Sequence, residues 1–313
     1  SQQLTLFTAH MDTVFPDGTA EKRPFRIEGE NYYGPGVGDM KNGDLAMFHI
    51  AANLPETEKK CLNIAMVYNP DEEIGSIYSK EITDRIGCQA DHIFVMESAG
   101  KNGTRHCFAR KGSLTYDIEF QGQAAHAGFM FEVENASAVL EMGHYIVELM
   151  SLADREKDTT VNVGIANGGT ARNVVADHAK ISVEMRFRDD SERIRLKEYV
   201  NKITEGQPFV HGVKTTITMQ KETPPFVKTE EAKKYIERVR KVAEEQGIPF
   251  EEQDRGGLSD ANHLSRCGNA IVMDGMGPHG ANDHSEKEYG YIGSVEPCVK
   301  LHLAILNDML KKQ

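Results

Sequence analysis

The first evidence for the fold is residues 4–14, Leu-Thr-Leu-Phe-Thr-Ala-His-Met-Asp-Thr-Val, where a short apolar run passes directly into a histidine and an aspartate. A run of this length between polar segments is typical of a buried strand. Similar apolar runs recur at residues 62–68, 92–96 and 270–273, and the apolar spacing of helices occurs at residues 43–54 and 230–246. Strands that alternate with helices in this way predict an α/β domain.

Residues 113–219 have a different pattern and predict a separate unit. Apolar and polar residues alternate at 114–120, as they do in a half-buried strand. Helical spacing at 135–153 and 191–204 separates this strand from three others, which we predict at 161–165, 181–187 and 215–219. The order strand, helix, strand, strand, helix, strand predicts a small ferredoxin-like α+β sandwich. We therefore predict two domains, one formed by residues 1–109 and 223–313 and the other by the inserted residues 110–222.

The composition is that of a globular protein with a sizeable core. The 313 residues are 39% hydrophobic and 27% charged, and their number predicts roughly two domains. The 48 acidic and 36 basic residues leave a formal net charge of −12. This charge disfavours nucleic acid and anionic membrane surfaces as partners.

The cysteines and the start of the sequence give evidence on the cellular compartment of the protein. The five cysteines are odd in number and have no paired short spacing, so we expect reduced thiols rather than disulfides or a cysteine zinc site. No apolar run approaches the roughly 18 residues of a membrane span. The sequence starts without methionine just before its first apolar run, so we expect that upstream residues are missing. From these features we expect a cytoplasmic location.

Histidines and carboxylates cluster where the predicted strands end. In open α/β sheets, ligands bind beyond the carboxyl ends of the strands. Seven of these side chains lie at four such strand ends or in a glycine-rich turn at residues 36–42. They are His10, Asp12, Glu72, Glu73, Glu97, His284 and, in the turn, Asp39. Singly, each has an ordinary explanation, such as an acidic helix start or a helix cap. Together, so many carboxylates would repel one another, and a bound metal cation resolves that repulsion.

Motifs along nearly the whole chain resemble those of the co-catalytic zinc aminoacylase/carboxypeptidase family. That family includes glutamate carboxypeptidases, acetylornithine deacetylases and tripeptidases. The motifs, in chain order, are His10-Met-Asp-Thr-Val, Gly38-Asp-Met-Lys, Asp71-Glu-Glu-Ile-Gly, Glu97-Ser, Ala125-His-Ala-Gly, Gly256-Gly-Leu-Ser-Asp-Ala-Asn and His284-Ser-Glu-Lys-Glu-Tyr. The last two look most like the glutamate carboxypeptidase branch. The resemblance implies a mixed-sheet zinc exopeptidase-type catalytic domain with an inserted lid and dimerisation domain.

Carried over residue by residue, the resemblance implies a pair of zinc ions bridged by Asp39. It implies that His10 and Glu97 complete the ligands of one ion, and that Glu73 and His284 complete those of the other. Each ion then keeps an open position, as catalytic zinc sites do. Cobalt and manganese are alternatives to zinc at such a site.

The resemblance also assigns residues beside the ligands. It implies that Glu72 is the general base, which takes a proton from water and returns it to the leaving amine. It implies that Asp12 orients His10 by accepting a hydrogen bond from the second ring nitrogen. It further implies a cis peptide bond between Asp39 and Met40.

In this family the inserted domain dimerises, so the resemblance implies a homodimer formed through the lid. It implies that His126 stabilises the oxyanion in the active site of the partner subunit. Asn173 and Arg186 match positions that bind carboxylate or carbonyl groups of the substrate. We also assign Ser259 and Asp260 to substrate binding, from the glycine-rich motif that contains them.

Two departures from the family pattern bear on specificity. Where glutamate carboxypeptidases have an arginine before the proline that closes the lid, this chain has Glu222-Thr-Pro-Pro. The turn after His126 lacks the family's proline and has bulky apolar residues at 129–131. The first departure counts against specificity for an acidic C-terminal residue, and the second favours a hydrophobic substrate pocket.

We therefore expect zinc-dependent hydrolysis of an amide bond that releases a C-terminal amino acid from a small peptide or an acyl-amino acid. An N-acyl amino acid deacylase, of the acetylornithine deacetylase or aminoacylase type, is the alternative with the same metal centre. A catalytically inactive dimeric metal-binding or scaffold paralogue is the alternative of another class. Glu72 argues against the inactive paralogue, because a site without catalysis has no need of a base.

Overall fold

The computed structural model describes residues 3–311. The chain divides into two compact units, the first formed by the residues up to Arg110 and from Phe226 onward, the second by Lys111–Pro225. The sequence places these boundaries at 109/110 and 222/223. The role of the second unit as a lid and dimerisation domain stays a prediction.

The secondary-structure elements are numbered in chain order. The strands are β1 (Leu4–His10), β2 (Arg26–Glu28), β3 (Asn31–Tyr33), β4 (Asn63–Asn69), β5 (His92–Val95), β6 (Ser98–Ala99), β7 (Arg105–Arg110), β8 (Gly112–Gln121), β9 (Ala125–His126), β10 (Thr160–Gly168), β11 (Val174–Val175), β12 (His178–Phe187), β13 (Lys214–Thr223), β14 (Glu251–Arg255), β15 (Ile271–Met273), β16 (Gly277–Ala281) and β17 (Tyr289–Tyr291). The helices are α1 (Thr19–Lys22), α2 (Asn42–Asn53), α3 (Glu56–Lys59), α4 (Lys80–Gly87), α5 (Ala138–Met150), α6 (Asp190–Glu205), α7 (Glu230–Glu245), α8 (Asp260–Leu264) and α9 (Val295–Leu310).

The first unit is built on a parallel sheet in the order β15-β5-β1-β4. The strands predicted from the four apolar runs are all present in it, each within one residue of its predicted start. His10 at the end of β1 pairs with Asn69 at the end of β4, and Thr8 pairs with Val95 at the end of β5. The carboxyl ends of these strands therefore lie at one edge of the sheet.

A second sheet in the same unit has the order β2-β3-β17-β16-β6. In this sheet β16 is parallel to β6 and antiparallel to β17. The unit thus combines parallel and antiparallel pairing, which confirms the predicted α/β class with mixed sheets. The short strand β6 directly follows Glu97, and the loop between β16 and β17 contains His284.

Both faces of the parallel sheet are covered by packed side chains. Alternate side chains of β1 point to opposite faces and belong to two different cores. Phe7 stacks on Phe94 with ring centroids 5.1 Å apart, in a core shared with buried residues of α2, α7 and α9. Leu6 packs in another core together with Leu264 of α8. This packing fixes the position of β1 in the sheet, and with it the start of the loop at His10.

The second unit is an antiparallel sheet in the order β10-β12-β8-β13 with helices α5 and α6. Buried residues of α5 and α6, such as Leu149 and Leu196, share a core with Phe120 and Ile181 of the sheet. The predicted order of elements is confirmed. The helix predicted at 135–153 is shorter, because Ser137 accepts a hydrogen bond from Leu140 N at 3.2 Å and caps the helix start.

Among residues 3–311, every helix is too short or too polar to span a lipid bilayer.

Candidate metal centre

The strand ends of the parallel sheet place three acidic residues near His10. The imidazole of His10 lies at the end of β1 and is 1% exposed. Glu72 and Glu73 lie in a turn that follows β4, and Glu97 follows β5. Oε1 of Glu97 lies 3.7 Å from Nε2 of His10. The predicted convergence of these strand ends is therefore present in the structure.

Asp39 lies in a tight turn that begins at Gly36 and leads into α2. Gly36 has φ 72°, the left-handed conformation that glycine adopts without steric cost. The peptide bond between Asp39 and Met40 is cis, as the resemblance implies. The turn directs the Asp39 carboxylate toward the end of β1, where Oδ1 lies 3.2 Å from Nε2 of His10.

The other oxygen of Asp39 contacts a second histidine. Nε2 of His284 lies 3.0 Å from Oδ2 of Asp39 and 3.2 Å from Oε2 of Glu73. His10, Asp39 and Glu73 each offer a ligand atom, and these atoms lie within 4.8 Å of one another. The five predicted ligands are thus brought together, with Glu97 close to His10 and Glu73 close to His284.

The acidic side chains of this cluster strongly affect one another. Burial and the Asp39 carboxylate raise the pKa of Glu97 well above its ordinary value, and the same two causes raise the pKa of Glu73. Burial and the Asp260 carboxylate raise the pKa of Glu72 to about 8. Carboxylates that repel one another in this way are stabilised by a cation, and a set of imidazole and carboxylate ligands suits Zn²⁺. The donor set therefore fits the predicted metal.

Asp12 holds both the histidine and the acidic turn. Nδ1 of His10 lies 3.2 Å from the Asp12 carbonyl oxygen and 3.4 Å from Oδ1. Burial opposes the charged imidazole, but hydrogen bonds to Asp12 and Asp39 raise the pKa of His10 to about 12. The Asp12 carboxylate also accepts hydrogen bonds from the backbone N–H groups of Glu72 at 3.1 Å and Glu73 at 3.0 Å. This second set of contacts is not predicted by the sequence.

Asp260 is buried inside a polar network rather than open to a ligand. Its side chain is 4% exposed. It accepts hydrogen bonds from Ser76 Oγ at 2.6 Å and from Asn69 Nδ2 at 2.7 Å, and it contacts Nε2 of His263 at 3.0 Å. Since Asn69 and Ser76 flank the turn with Glu72, these contacts favour a supporting role for Asp260. They do not support the predicted binding of substrate.

Ser259 has a similar position. It is 5% exposed, and its hydroxyl donates to Oδ2 of Asp274 at 2.8 Å. The hydroxyl also accepts from Ala261 N at 3.1 Å, which caps α8. These internal contacts do not support substrate binding by Ser259 either.

The remaining predicted residues belong to the second unit. His126 is exposed, and its Nδ1 accepts a hydrogen bond from Gly128 N at 3.1 Å. The carbonyl oxygen of Asn173 accepts from Ala127 N at 2.9 Å, so Asn173 and His126 lie at the same corner of this unit. Arg186 lies near the end of β12, where its Nη2 donates to Oε1 of Glu184 at 2.7 Å.

Several residues of the site have no role in the sequence-based interpretation. Asn69, Ser76 and His263 form the network around Asp260, and their spacing in the sequence gives no sign of it. Glu288 belongs to the motif that begins at His284, but the motif alone does not indicate what its carboxylate contacts.

The comparison with known proteins identifies a family. The sequence profile of Peptidase family M20/M25/M40 matches residues 6–308, which confirms the resemblance drawn from the motifs. Carboxypeptidase G2 from a Pseudomonas species is 26% identical over 308 residues, which cover 97% of this chain and 73% of that protein. A succinyl-diaminopimelate desuccinylase from Halorhodospira halophila is 24% identical over an alignment of 326 residues, which covers 98% of this chain and 83% of that protein.

Solved structures show that the fold is shared. A tripeptidase from Staphylococcus aureus superposes with a TM-score of 0.81 at 22% identity and covers 99% of this chain and 81% of its own. An aminopeptidase from Bacillus cereus has a TM-score of 0.79 at 24% identity, with 98% of this chain and 81% of its own covered.

Proposed function

This chain belongs to Peptidase family M20/M25/M40, and on that premise we propose that it is a dinuclear zinc carboxypeptidase that releases a C-terminal amino acid from small peptides or acyl-amino acids. As a member of this family, the protein is a metal-dependent hydrolase of amide bonds. The observation that carries the finer proposal is the position of the Asp39 carboxylate between His10 and His284.

The proposed ligands divide about Asp39. Asp39 would serve both sites, His10 and Glu97 would hold one ion, and Glu73 and His284 would hold the other. Zinc ions bound there would polarise the scissile carbonyl and lower the pKa of the attacking water. The identity of the metal is part of the proposal, with cobalt and manganese as the alternatives.

Glu72 is the proposed general base. It takes the proton of the attacking water and delivers it to the leaving nitrogen, so that the peptide C–N bond breaks and a neutral amine leaves. Asp12 supports this step, because its carboxylate holds the backbone N–H groups of both Glu72 and Glu73. The base and a neighbouring ligand are thus fixed by one side chain, which also orients His10.

His126 is proposed to stabilise the oxyanion in the partner subunit. Since Nδ1 accepts the hydrogen bond from Gly128 N, a neutral imidazole carries its proton on Nε2. Because His126 is exposed, that N–H can donate to a negatively charged oxygen. Asn173, at the same corner, and Arg186 are proposed to bind the carbonyl or carboxylate groups of the substrate.

We propose a neutral or apolar C-terminal residue as the preferred leaving group. The segment Glu222-Thr-Pro-Pro stands where glutamate carboxypeptidases are expected to have an arginine before the proline, and the Glu222 carboxylate pairs with Arg193 and Lys197 at 2.6 Å each. The apolar side chains of Phe129 and Phe131 in the turn after His126 are 54% and 97% exposed. These features favour apolar contacts with the C-terminal residue of the substrate over an ion pair with an acidic side chain.

The proposed homodimer forms through the second unit. Helix α5 and strand β10 expose apolar side chains, namely Val139, Leu140, Val147, Met150 and Ile165. Because α5 and β10 are neighbouring elements, apolar side chains exposed on both favour association with a complementary surface. We also propose a cytoplasmic location, which is favoured by the five free cysteines.

The second candidate function is deacylation of N-acyl amino acids, which the similarity to a desuccinylase favours. The test incubates the zinc-loaded full chain with N-terminally blocked dipeptides and with matched N-acyl amino acids, and mass spectrometry measures the products. Faster release of the C-terminal residue from the peptides supports the carboxypeptidase, and faster deacylation supports the second candidate. The variant Glu72→Gln is the control, and equal rates with this variant would contradict catalysis at this centre.

A further inference from the structure

The carboxylate of Glu288 lies beneath the turn that carries Asp39. Glu288 is 0% exposed. Its Oε2 accepts a hydrogen bond from Gly36 N at 2.8 Å, and its Oε1 accepts from Gly38 N at 2.8 Å and from Asp39 N at 3.0 Å. One side chain therefore satisfies three backbone donors of the same turn, including the N–H of the bridging aspartate itself.

The turn is packed so closely that it has little freedom to find other partners. A Cβ atom on Gly38 would lie 2.9 Å from the carbonyl oxygen of Tyr289, the residue next to Glu288. On its carbonyl side, Gly38 accepts a hydrogen bond from the hydroxyl of Ser98. Backbone donors that are buried without a partner are costly, so the loss of the Glu288 oxygens would force the turn to move.

Glu288 also connects the turn with a second ligand of the centre. It follows His284 by four residues in the loop between β16 and β17. The contacts of Glu288 thus tie the backbone of Asp39 to the segment that carries His284. Nε2 of His284 lies 3.0 Å from Oδ2 of Asp39. A small displacement of either segment would change this distance.

We propose that Glu288 is a positioning residue, which holds the Asp39 turn so that one carboxylate can serve both metal sites. This inference rests on the proposed metal centre. Outer partners of metal ligands typically contribute about 10–100-fold to metal affinity. Glu288 binds the backbone N–H of Asp39 rather than the Asp39 side chain. Its proposed effect is therefore on the position of the Asp39 carboxylate.

A merely structural role for Glu288 can be separated from positioning by a matched control. Glu141 of α5, in the second unit, is also 0% exposed, and it accepts hydrogen bonds from Phe209 N at 3.2 Å and Val210 N at 2.7 Å. Both glutamates are buried carboxylates that bind backbone N–H groups. Replacement of either by glutamine puts an amide donor against a backbone donor and destabilises the fold. Only Glu288→Gln is expected to weaken metal binding.

The experiment measures zinc affinity of the full chain by competition with a chromophoric chelator, together with the thermal unfolding midpoint of the metal-free protein. We expect Glu288→Gln to lower zinc affinity about 10–100-fold. We expect Glu141→Gln to lower the unfolding midpoint and leave zinc affinity unchanged. Zinc affinity of Glu288→Gln equal to that of the unsubstituted protein would overturn the inference, and so would an equal loss of affinity in Glu141→Gln.

A second variant covers the case in which Glu288→Gln does not fold. Glu288→Asp keeps the carboxylate but shortens the side chain by one methylene, so it is expected to fold and to bind zinc more weakly than the unsubstituted protein. Undiminished affinity in Glu288→Asp, with Glu288→Gln unfolded, would overturn the inference. Absence of zinc binding by the unsubstituted protein would instead contradict the proposed metal centre.

Discussion

Oδ2 of Asp39 lies 3.0 Å from Nε2 of His284, while Oδ1 of the same carboxylate lies 3.2 Å from Nε2 of His10. The two histidines come from segments that are more than 270 residues apart in the chain. A carboxylate with one oxygen directed to each of two imidazoles has the arrangement that a bridging ligand needs. Asp39 is therefore the residue on which both proposed metal sites depend.

Asp39→Asn should remove the bridge without a large change in side-chain volume. The amide nitrogen is not a ligand for zinc, so at most one ion keeps an oxygen from this residue. We expect the zinc affinity of one of the two sites to fall by more than about 10–100-fold, which is the typical effect of losing a residue that hydrogen-bonds to a metal ligand. Metal content per chain after dialysis measures this effect, and retention of both ions would contradict the bridging role.

Glu72→Gln should separate catalysis from metal binding. Glu72 is proposed to move a proton and not to bind the metal, so we expect the turnover number to fall by about 10²–10⁴-fold. Zinc content should be unchanged in the same preparation. Steady-state kinetics on a blocked dipeptide, together with metal analysis, measures both. Loss of zinc in parallel with activity would show that Glu72 serves as a ligand instead.

His126→Ala tests whether the second unit completes the site of a partner subunit. The substitution removes an oxyanion donor, so we expect turnover to fall about 10²–10³-fold. If His126 acts across a dimer, Glu72→Gln and His126→Ala subunits complement each other in mixed dimers. Random mixing should then restore about a quarter of the unsubstituted activity, because half of the dimers are mixed and each has one intact site. Lack of restoration in demonstrably mixed dimers contradicts the role in the partner.

The contacts of His263 predict a pH dependence of stability. Burial disfavours the charged imidazole, but hydrogen bonds to Asp260 and Asp84 raise its pKa from 6.5 to about 9. Because the folded-state pKa is the higher one, the stabilisation is complete below about pH 6.5 and is lost as the pH rises through about 9. From that difference the loss is on the order of 3 kcal/mol.

Urea unfolding of the metal-free protein across this pH range measures the effect. The variant His263→Gln is the control, since it keeps a polar side chain but does not titrate. We expect the free energy of unfolding to fall with rising pH in the unsubstituted protein and to change less in the variant. Parallel curves for the two proteins would show that His263 is not the group that titrates.

The strands of the parallel sheet, and the polar side chains at their ends, could be predicted because their signals are local. Residues 4–9 form a continuous apolar run, and His10 follows at its end. The same holds for the runs that precede Glu72 and Glu97. Since the carboxyl ends of parallel strands meet at one edge, a one-dimensional pattern was sufficient to bring these side chains together.

The second sheet of the first unit could not be predicted in the same way. Strand β6 is Ser98–Ala99, and β16 is Gly-Pro-His-Gly-Ala at 277–281, with neither length nor alternation to mark a strand. Such short strands depend on tertiary pairing. The contacts of Glu288 could not be predicted for the same reason, because its carboxylate reaches the Asp39 turn only after the chain reverses between β16 and β17.

The burial of Asp260 could not be predicted from the motif that contains it. The glycine-rich motif that contains Ser259 and Asp260 predicts that both residues bind substrate, and their role in binding stays a prediction. In the structure Asp260 starts a short helix, and Asn69 and Ser76 approach it from a segment more than 180 residues away. No pattern in the sequence shows this distant approach.

Anomalous diffraction at the zinc edge, measured on crystals of the zinc-loaded full chain, locates each zinc ion and so tests the proposed dinuclear centre. Two peaks about 3.5–4 Å apart are expected, with the Asp39 carboxylate between them. One should be bound by His10 and Glu97, the other by Glu73 and His284. A single peak, or peaks that do not contact Asp39, would contradict the shared carboxylate and the dinuclear mechanism that depends on it.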